Sequence, residues 1–229
     1  MNLISCKNLT VNYEKEPAVE NLSFSVSFKD YIFILGENGS GKSTLLKTIL
    51  NLKKKSKGEI FFENLKRNEI GYLPQRITIK KDFPATVFEI VLSGFVSCCS
   101  FFYSKKQKLK VLQILKNLKL EHLKNVSFKE LSKGQQQKVL LARALCATKK
   151  VLFLDEPCAN LDPVFTKEFY SLIKKLNEEK NVAIVMVSHD IEAAILNAKK
   201  ILHIKKKVLF FGEVKDYLKS EFAKVFLGK

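Results

Sequence analysis

Five apolar residues, Tyr31-Ile32-Phe33-Ile34-Leu35, run straight into Gly36-Glu37-Asn38-Gly39-Ser40-Gly41-Lys42-Ser43-Thr44, and a helix pattern follows from Lys42 to Leu50. A continuous apolar run suits a strand covered on both faces, as in a parallel sheet. The loop after it fits G-x-x-x-x-G-K-[ST] in the strand–loop–helix context that this motif requires. Glycines let the backbone wrap close to a phosphate with successive N–H groups turned inward, and the helix N-terminus adds its partial positive charge. Lys42 is expected to reach the outer phosphates, and the Ser43 hydroxyl to ligate Mg²⁺.

Such a loop needs a metal-holding carboxylate on a neighbouring strand. Val151-Leu152-Phe153-Leu154-Asp155-Glu156 supplies one, because an apolar strand carries its last residues to the carboxyl edge of the sheet, where ligands of open α/β sheets bind. Asp155 is expected to orient the Mg²⁺ shell. Glu156 is the candidate base or water-positioning residue for attack on a γ-phosphate. The guanine-reading pattern N-K-x-D is absent, since no Asn-Lys pair occurs in the chain. Adenine is therefore favoured, with Tyr13, upstream of the alternating strand, as a ring that could stack on it.

The remaining pattern sorts into three parts. Leu22, Phe24, Val26 and Phe28 alternate with serines as a half-buried strand, and Glu59–Phe62 and Ile70–Leu73 are further short strands. From Ser104 to Val126, leucines recur at helical spacing between lysines, and a second helix is expected over about 135–147. Thereafter strands at 151–154 and 182–187 alternate with helices around Phe165–Leu176 and Ile191–Ala198, before a terminal hairpin over Ile201–Phe211. This order predicts a single α/β domain, with 1–75 and 148–229 forming the ATP-binding core and a helical subdomain inserted at 76–147.

Composition excludes other classes. With 229 residues, 46% hydrophobic and 28% charged, the chain is neither disordered nor fibrous. Lys+Arg 40 against Asp+Glu 23 leaves +17, nearly all of it lysine, because Arg67, Arg76 and Arg143 are the only arginines. A basic surface suits an anionic partner. Five cysteines without framework spacing suit reduced thiols in the cytoplasm. The N-terminus does not read as a signal peptide, and the longest charge-free stretch, Ile90–Ser104, is too short to span a membrane. Cys98 and Cys99 in that stretch read as packing residues.

Leu131-Ser132-Lys133-Gly134-Gln135-Gln136-Gln137 opens the helix that precedes the Asp155 strand. With the phosphate loop and the Asp155-Glu156 pair, it resembles the ATP-binding cassette family, the motor subunits of ABC transporters, over nearly the whole chain. Gln75 in YLPQ is similar to the family's glutamine loop, Ala159-Asn160-Leu161-Asp162 to its D-loop, and His189 in VSHD to its switch histidine. Tyr13 lies where the family places its adenine-stacking aromatic. The resemblance implies a P-loop ATPase core with an N-terminal antiparallel β subdomain and an inserted helical subdomain. It implies ATP and Mg²⁺ as ligands. It further implies a head-to-tail homodimer in which Ser132, Gly134 and Gln135 cap the nucleotide held by the other copy and Asp162 links the two sites. Gln75 then senses Mg²⁺ and the attacking water, and His189 bonds the γ-phosphate. Lys133 departs from the glycine usual at that position.

Among cassette functions, no coiled-coil insertion or second cassette points to DNA repair or translation, and no nucleic-acid partner is expected. The absence of fused spanning helices resembles an importer motor on the cytoplasmic side of the plasma membrane. Its expected partners are an integral membrane permease, docking near 90–104, and, indirectly, an extracytoplasmic solute-binding protein. Residues 71–94 and 131–145 are similar to the ATPases of zinc, manganese or iron importers. The alternatives are an importer motor for another small solute and a soluble cassette for cofactor assembly, such as iron–sulfur cluster biogenesis.

Overall fold

The computed structural model describes residues 1–13, 16–75, 84–95, 102–159 and 161–227. Arg76, Cys98, Cys99 and Asn160 lie outside the described residues. In chain order the elements are β1 (Asn2–Tyr13), β2 (Glu16–Ser27), β3 (Tyr31–Leu35), α1 (Lys42–Ile49), β4 (Lys57–Phe62), β5 (Ile70–Leu73), α2 (Val87–Leu92), α3 (Lys105–Asn117), α4 (Lys133–Ala147), β6 (Val151–Asp155), α5 (Pro163–Lys180), β7 (Ala183–Val187), α6 (Ile191–Asn197), β8 (Lys200–Lys205), β9 (Lys207–Glu213), α7 (Val214–Lys219) and α8 (Glu221–Leu227).

Two sheets result. The N-terminal one is antiparallel, in the order β2-β1-β4. The larger one has the order β5-β6-β7-β3-β8-β9, parallel except for the β8–β9 hairpin. Successive side chains of a strand point to opposite faces, and here both faces are apolar. Ile32, Ile34, Phe153, Val185 and Leu202 pack toward α1 and the antiparallel sheet. Phe33, Leu35, Leu152, Leu154 and Met186 pack into a second cluster with residues of α2, α3, α4 and α5. The α/β expectation with an N-terminal antiparallel sheet is met.

The register decides where the chemistry lies. Val187 of β7 pairs with Ile34 of β3 on one side and with Asp155 of β6 on the other. Leu73 of β5 pairs with Leu154 of β6. The chain therefore leaves β3 toward Gly36, β6 toward Glu156, β7 toward His189 and β5 toward Gln75 at one level of one sheet edge.

Several sequence expectations are adjusted. The helical pattern from Ser104 does not reach Val126: α3 ends at Asn117, and Lys119, at φ 57°, turns the chain into short 3-10 turns at Glu121–Leu123 and Phe128–Glu130. Leu118 and Leu120 are buried around that turn, so the leucine spacing reflects core contacts on both sides of a break. Helix α2 was not anticipated, although its Thr86-x-x-Glu89 capping box is present in the sequence: the Thr86 hydroxyl accepts from Glu89 N–H, and the Glu89 carboxylate accepts from Thr86 N–H. Tyr13 closes β1 instead of preceding the strands. The C-terminal helices α7 and α8 were also missed. Among the described residues, no helix is long and apolar enough to cross a membrane.

Candidate functional site: a phosphate loop and an acidic strand end

The loop after β3 is held by close backbone packing. A Cβ on Gly36 would stand 2.3 Å from the Ile204 carbonyl oxygen, and one on Gly41 would stand 2.2 Å from that of Ala18. Gly41 has φ 99° and caps α1, a conformation that glycine adopts at little cost. Lys206 N–H donates to the Ser40 carbonyl at 3.0 Å, so the β8–β9 turn grips the loop from outside. Asn38 and Gly39 form the exposed tip.

Inside the loop, the buried Lys42 ammonium donates to the carbonyls of Gly36 and Glu37, both at 2.8 Å. Burial pushes its pKa down, and the Glu156 and Asp155 carboxylates oppose that shift. The Ser40 hydroxyl is buried without a hydrogen-bond partner among the described residues. A buried, unsatisfied hydroxyl costs roughly 1–3 kcal/mol, and an anion in the loop would satisfy it.

The acidic strand end assembles across the sheet edge. Ser43 Oγ donates to Asp155 Oδ1 at 2.9 Å, joining residues 112 apart in sequence. Asp155 is 1% exposed. Burial raises its carboxyl pKa, and the Ser43 bond opposes that rise. A hydroxyl and a carboxylate side by side are hard oxygen donors that suit Mg²⁺. Gln75 Nε2 donates to Glu156 Oε2 at 2.6 Å, bridging 81 positions. Glu156 has φ 46°, which costs a non-glycine residue about 1 kcal/mol and turns the chain sharply off β6. Its N–H donates to the Val187 carbonyl at 3.0 Å, which fixes that turn to β7. His189 is exposed just beyond β7 and lines, with Glu156, Ala159 and Leu161, a cleft of about 700 Å³.

The remaining predicted residues gather elsewhere. Ser132 caps α4, its hydroxyl accepting from Gln135 N–H at 3.3 Å while Gln135 Oε1 accepts from Ser132 N–H at 2.9 Å. The Gln135 side chain thus completes the helix cap. A Cβ on Gly134 would lie 3.0 Å from the Phe165 ring. Asp162 caps α5 by accepting from Phe165 N–H at 2.8 Å. Ser132, Lys133, Gly134, Gln135 and Asp162 share the walls of a hollow of about 310 Å³, and no residue of Gly36–Thr44 lines it. Tyr13 is 53% exposed, and hydrogen bonding to the Thr44 side chain, next to Ser43, lowers its phenol pKa.

A family model described as ABC transporter matches residues 19–159, more than half of the chain. The chain belongs to the ABC transporter family. It is the ATP-hydrolysing cassette of that family, and its α/β architecture is the cassette fold. Among relatives, it is similar to the zinc uptake system ATP-binding protein ZurA of Listeria monocytogenes, 34% identical over 224 residues, covering 94% of this chain and 87% of the relative. Among solved structures, the cassette is similar to an inward-facing putative metal-chelate type ABC transporter, with 31% identity, TM-score 0.89, and coverage of 100% of this chain and 90% of that one. It is also similar to a bacterial ABC transporter cassette, MJ0796, solved as a dimer, with 29% identity, TM-score 0.80, and coverage of 93% and 99%.

Proposed function

We propose that this cassette is the motor of an importer for a divalent transition metal, zinc or manganese, and that it acts as an ATP-dependent head-to-tail homodimer. It would sit on the cytoplasmic face of the plasma membrane beneath an integral permease, with an extracytoplasmic solute-binding protein delivering the ion. The observation that carries the motor reading is the hydrogen bond from Gln75 Nε2 to Glu156 Oε2. Gln75 ends the core segment just before the chain departs toward α2, α3 and α4. Movement of that segment and the state of the catalytic carboxylate are thereby tied together.

In hydrolysis, Glu156 accepts a proton from the water that attacks the γ-phosphorus, the bond to the β-phosphate oxygen breaks, and ADP and phosphate result. Lys42 exchanges its loop carbonyls for phosphate oxygens. His189, beside Glu156 in the cleft, holds the γ-phosphate, and Tyr13 stacks on the adenine. Ser43 and Asp155 would hold Mg²⁺, with Gln75 near it; when bound, that ion supplies positive charge to the phosphate oxygens. Ser132, Gly134 and Gln135 at the start of α4 would meet the nucleotide of the other copy, next to Asp162. The separation of this hollow from the phosphate loop within one chain supports the two-copy arrangement, as does similarity to a cassette solved as a dimer.

Light scattering checks the assembly. The isolated protein should be largely monomeric without nucleotide. Saturating ATP with Glu156→Gln should shift it to twice the mass, because a ligand held across an interface stabilises it. An unchanged mass at saturating ATP would count against the sandwich.

The zinc-uptake relative and the metal-chelate transporter support the cargo. Selectivity should reside in the ion-capturing protein, where coordination geometry and ligand softness discriminate metals. Cells lacking this chain should show a specific fall in one transition metal by elemental analysis, with growth restored by adding that metal. Level metals with failed uptake of an amino acid or sugar would overturn the cargo and leave the motor. Unchanged uptake with loss of cluster-enzyme activity would favour the assembly alternative.

A further inference from the structure

We propose that Lys53 is a positioning residue for the nucleotide base: its ammonium, seated on one face of Tyr13, holds that ring so that the opposite face receives the adenine. The inference rests on the proposed stacking role of Tyr13 and adds a residue from the connection between α1 and β4.

The contact is close. Lys53 Nζ lies 2.9 Å from the Tyr13 ring centroid. Among the described residues, the other lysine–aromatic contacts, Lys7 on Phe61, Lys29 on Phe28, Lys110 on Phe95 and Lys138 on Phe165, range from 5.3 to 5.7 Å. A cation over a tyrosine face is attracted by the negative face of the ring quadrupole, and the attraction weakens with distance. Lys53 is also partly buried, whereas its neighbours Lys54 and Lys55 are exposed.

The backbone puts it there. The connection between α1 and β4 is tied at both ends. At the first end, the N–H groups of Leu52 and Lys53 donate to the Lys47 carbonyl at 2.8 and 3.3 Å. At the other, Ser56 N–H donates to the Thr10 carbonyl at 2.8 Å, and Ser56 Oγ accepts from Asn12 N–H at 3.0 Å. Thr10 and Asn12 belong to the strand that ends in Tyr13, so the ties bring Lys53 against the ring. The Thr44 side chain and the Lys53 charge both lower the phenol pKa, which places them beside the ring. One face of the ring is engaged by Lys53, while half of the residue's surface remains exposed. A ring fixed before the base arrives loses less freedom on binding.

The test uses the full chain and steady-state ATP hydrolysis. Lys53→Ala should raise the KM for ATP about threefold to tenfold and leave kcat at saturating ATP unchanged. Lys53→Arg, which keeps a cation over the ring, should restore KM. Rescue by a second cation of different shape, with kcat unmoved throughout, is a pattern that a merely structural lysine would not produce. A KM that is unchanged in Lys53→Ala overturns the proposal. A lowered KM overturns it too, and would mean that Lys53 occupies the place of the base. Tyr13→Ala separates the two layers. If it leaves KM unchanged, the stacking role of Tyr13 falls and this inference with it; if it raises KM while Lys53→Ala does not, only the role of Lys53 falls.

Discussion

Glu156→Gln is expected to leave ATP binding intact and to lower kcat by about 10²- to 10⁴-fold, the range typical of a lost general base. The substitution is nearly isosteric. The new side-chain oxygen can still accept from Gln75 Nε2, which now donates at 2.6 Å, so the geometry at the strand end should persist. What disappears is the negative charge that draws a proton from water. Phosphate release under saturating ATP gives the rate, and equilibrium binding gives the control. Turnover at the wild-type rate would remove Glu156 from the role of base.

Gly41→Ala is expected to weaken ATP binding by roughly 100-fold or more, on the order of 3 kcal/mol. Two costs combine. An alanine at φ 99° is strained whatever the space around it. The added Cβ would also stand 2.2 Å from the Ala18 carbonyl oxygen and 3.0 Å from Val19 Cγ2. The nearer of those is backbone of β2, which does not yield as a flexible side chain would. The phosphate loop must therefore shift, and the N–H groups that face the phosphates shift with it. Gly39→Ala is the internal comparison: its φ is 80°, but nothing lies within 4 Å of the added carbon, so only the conformational cost of roughly 1 kcal/mol remains. Titration of ATP into both variants decides the matter. Equal losses would show that close packing against β2 is not what sets the loop.

The local features of this protein were legible because their causes are local. The loop Gly36–Thr44 needs glycines and a helix start within nine residues, and the Asp155-Glu156 pair follows directly from the apolar run that carries it. Helix caps at Thr86, Ser104, Ser132 and Asp162 each involve a partner three residues away, so even the unanticipated α2 had its signal in the chain. The alternation of buried strands and amphipathic helices likewise carried the fold class, because it records which faces must leave water.

Periodicity says nothing about which strand lies beside which, and that is where the tertiary structure took over. Only the order β5-β6-β7-β3 and its register bring Gln75 level with Glu156 and Ser43 opposite Asp155. The leucines after Asn117 still pack into the core although the backbone breaks at Lys119, because burial there depends on where the chain turns and not on a continuing helix. Lys53 reads as one lysine among several until β1 and β4 pair and set it on Tyr13. By itself, the sequence determined the phosphate loop, the acidic strand end and the α/β class, since each depends on neighbours a few residues apart. Which side chains meet across the sheet edge depended on long-range strand pairing and packing, and these are properties of the whole assembled core.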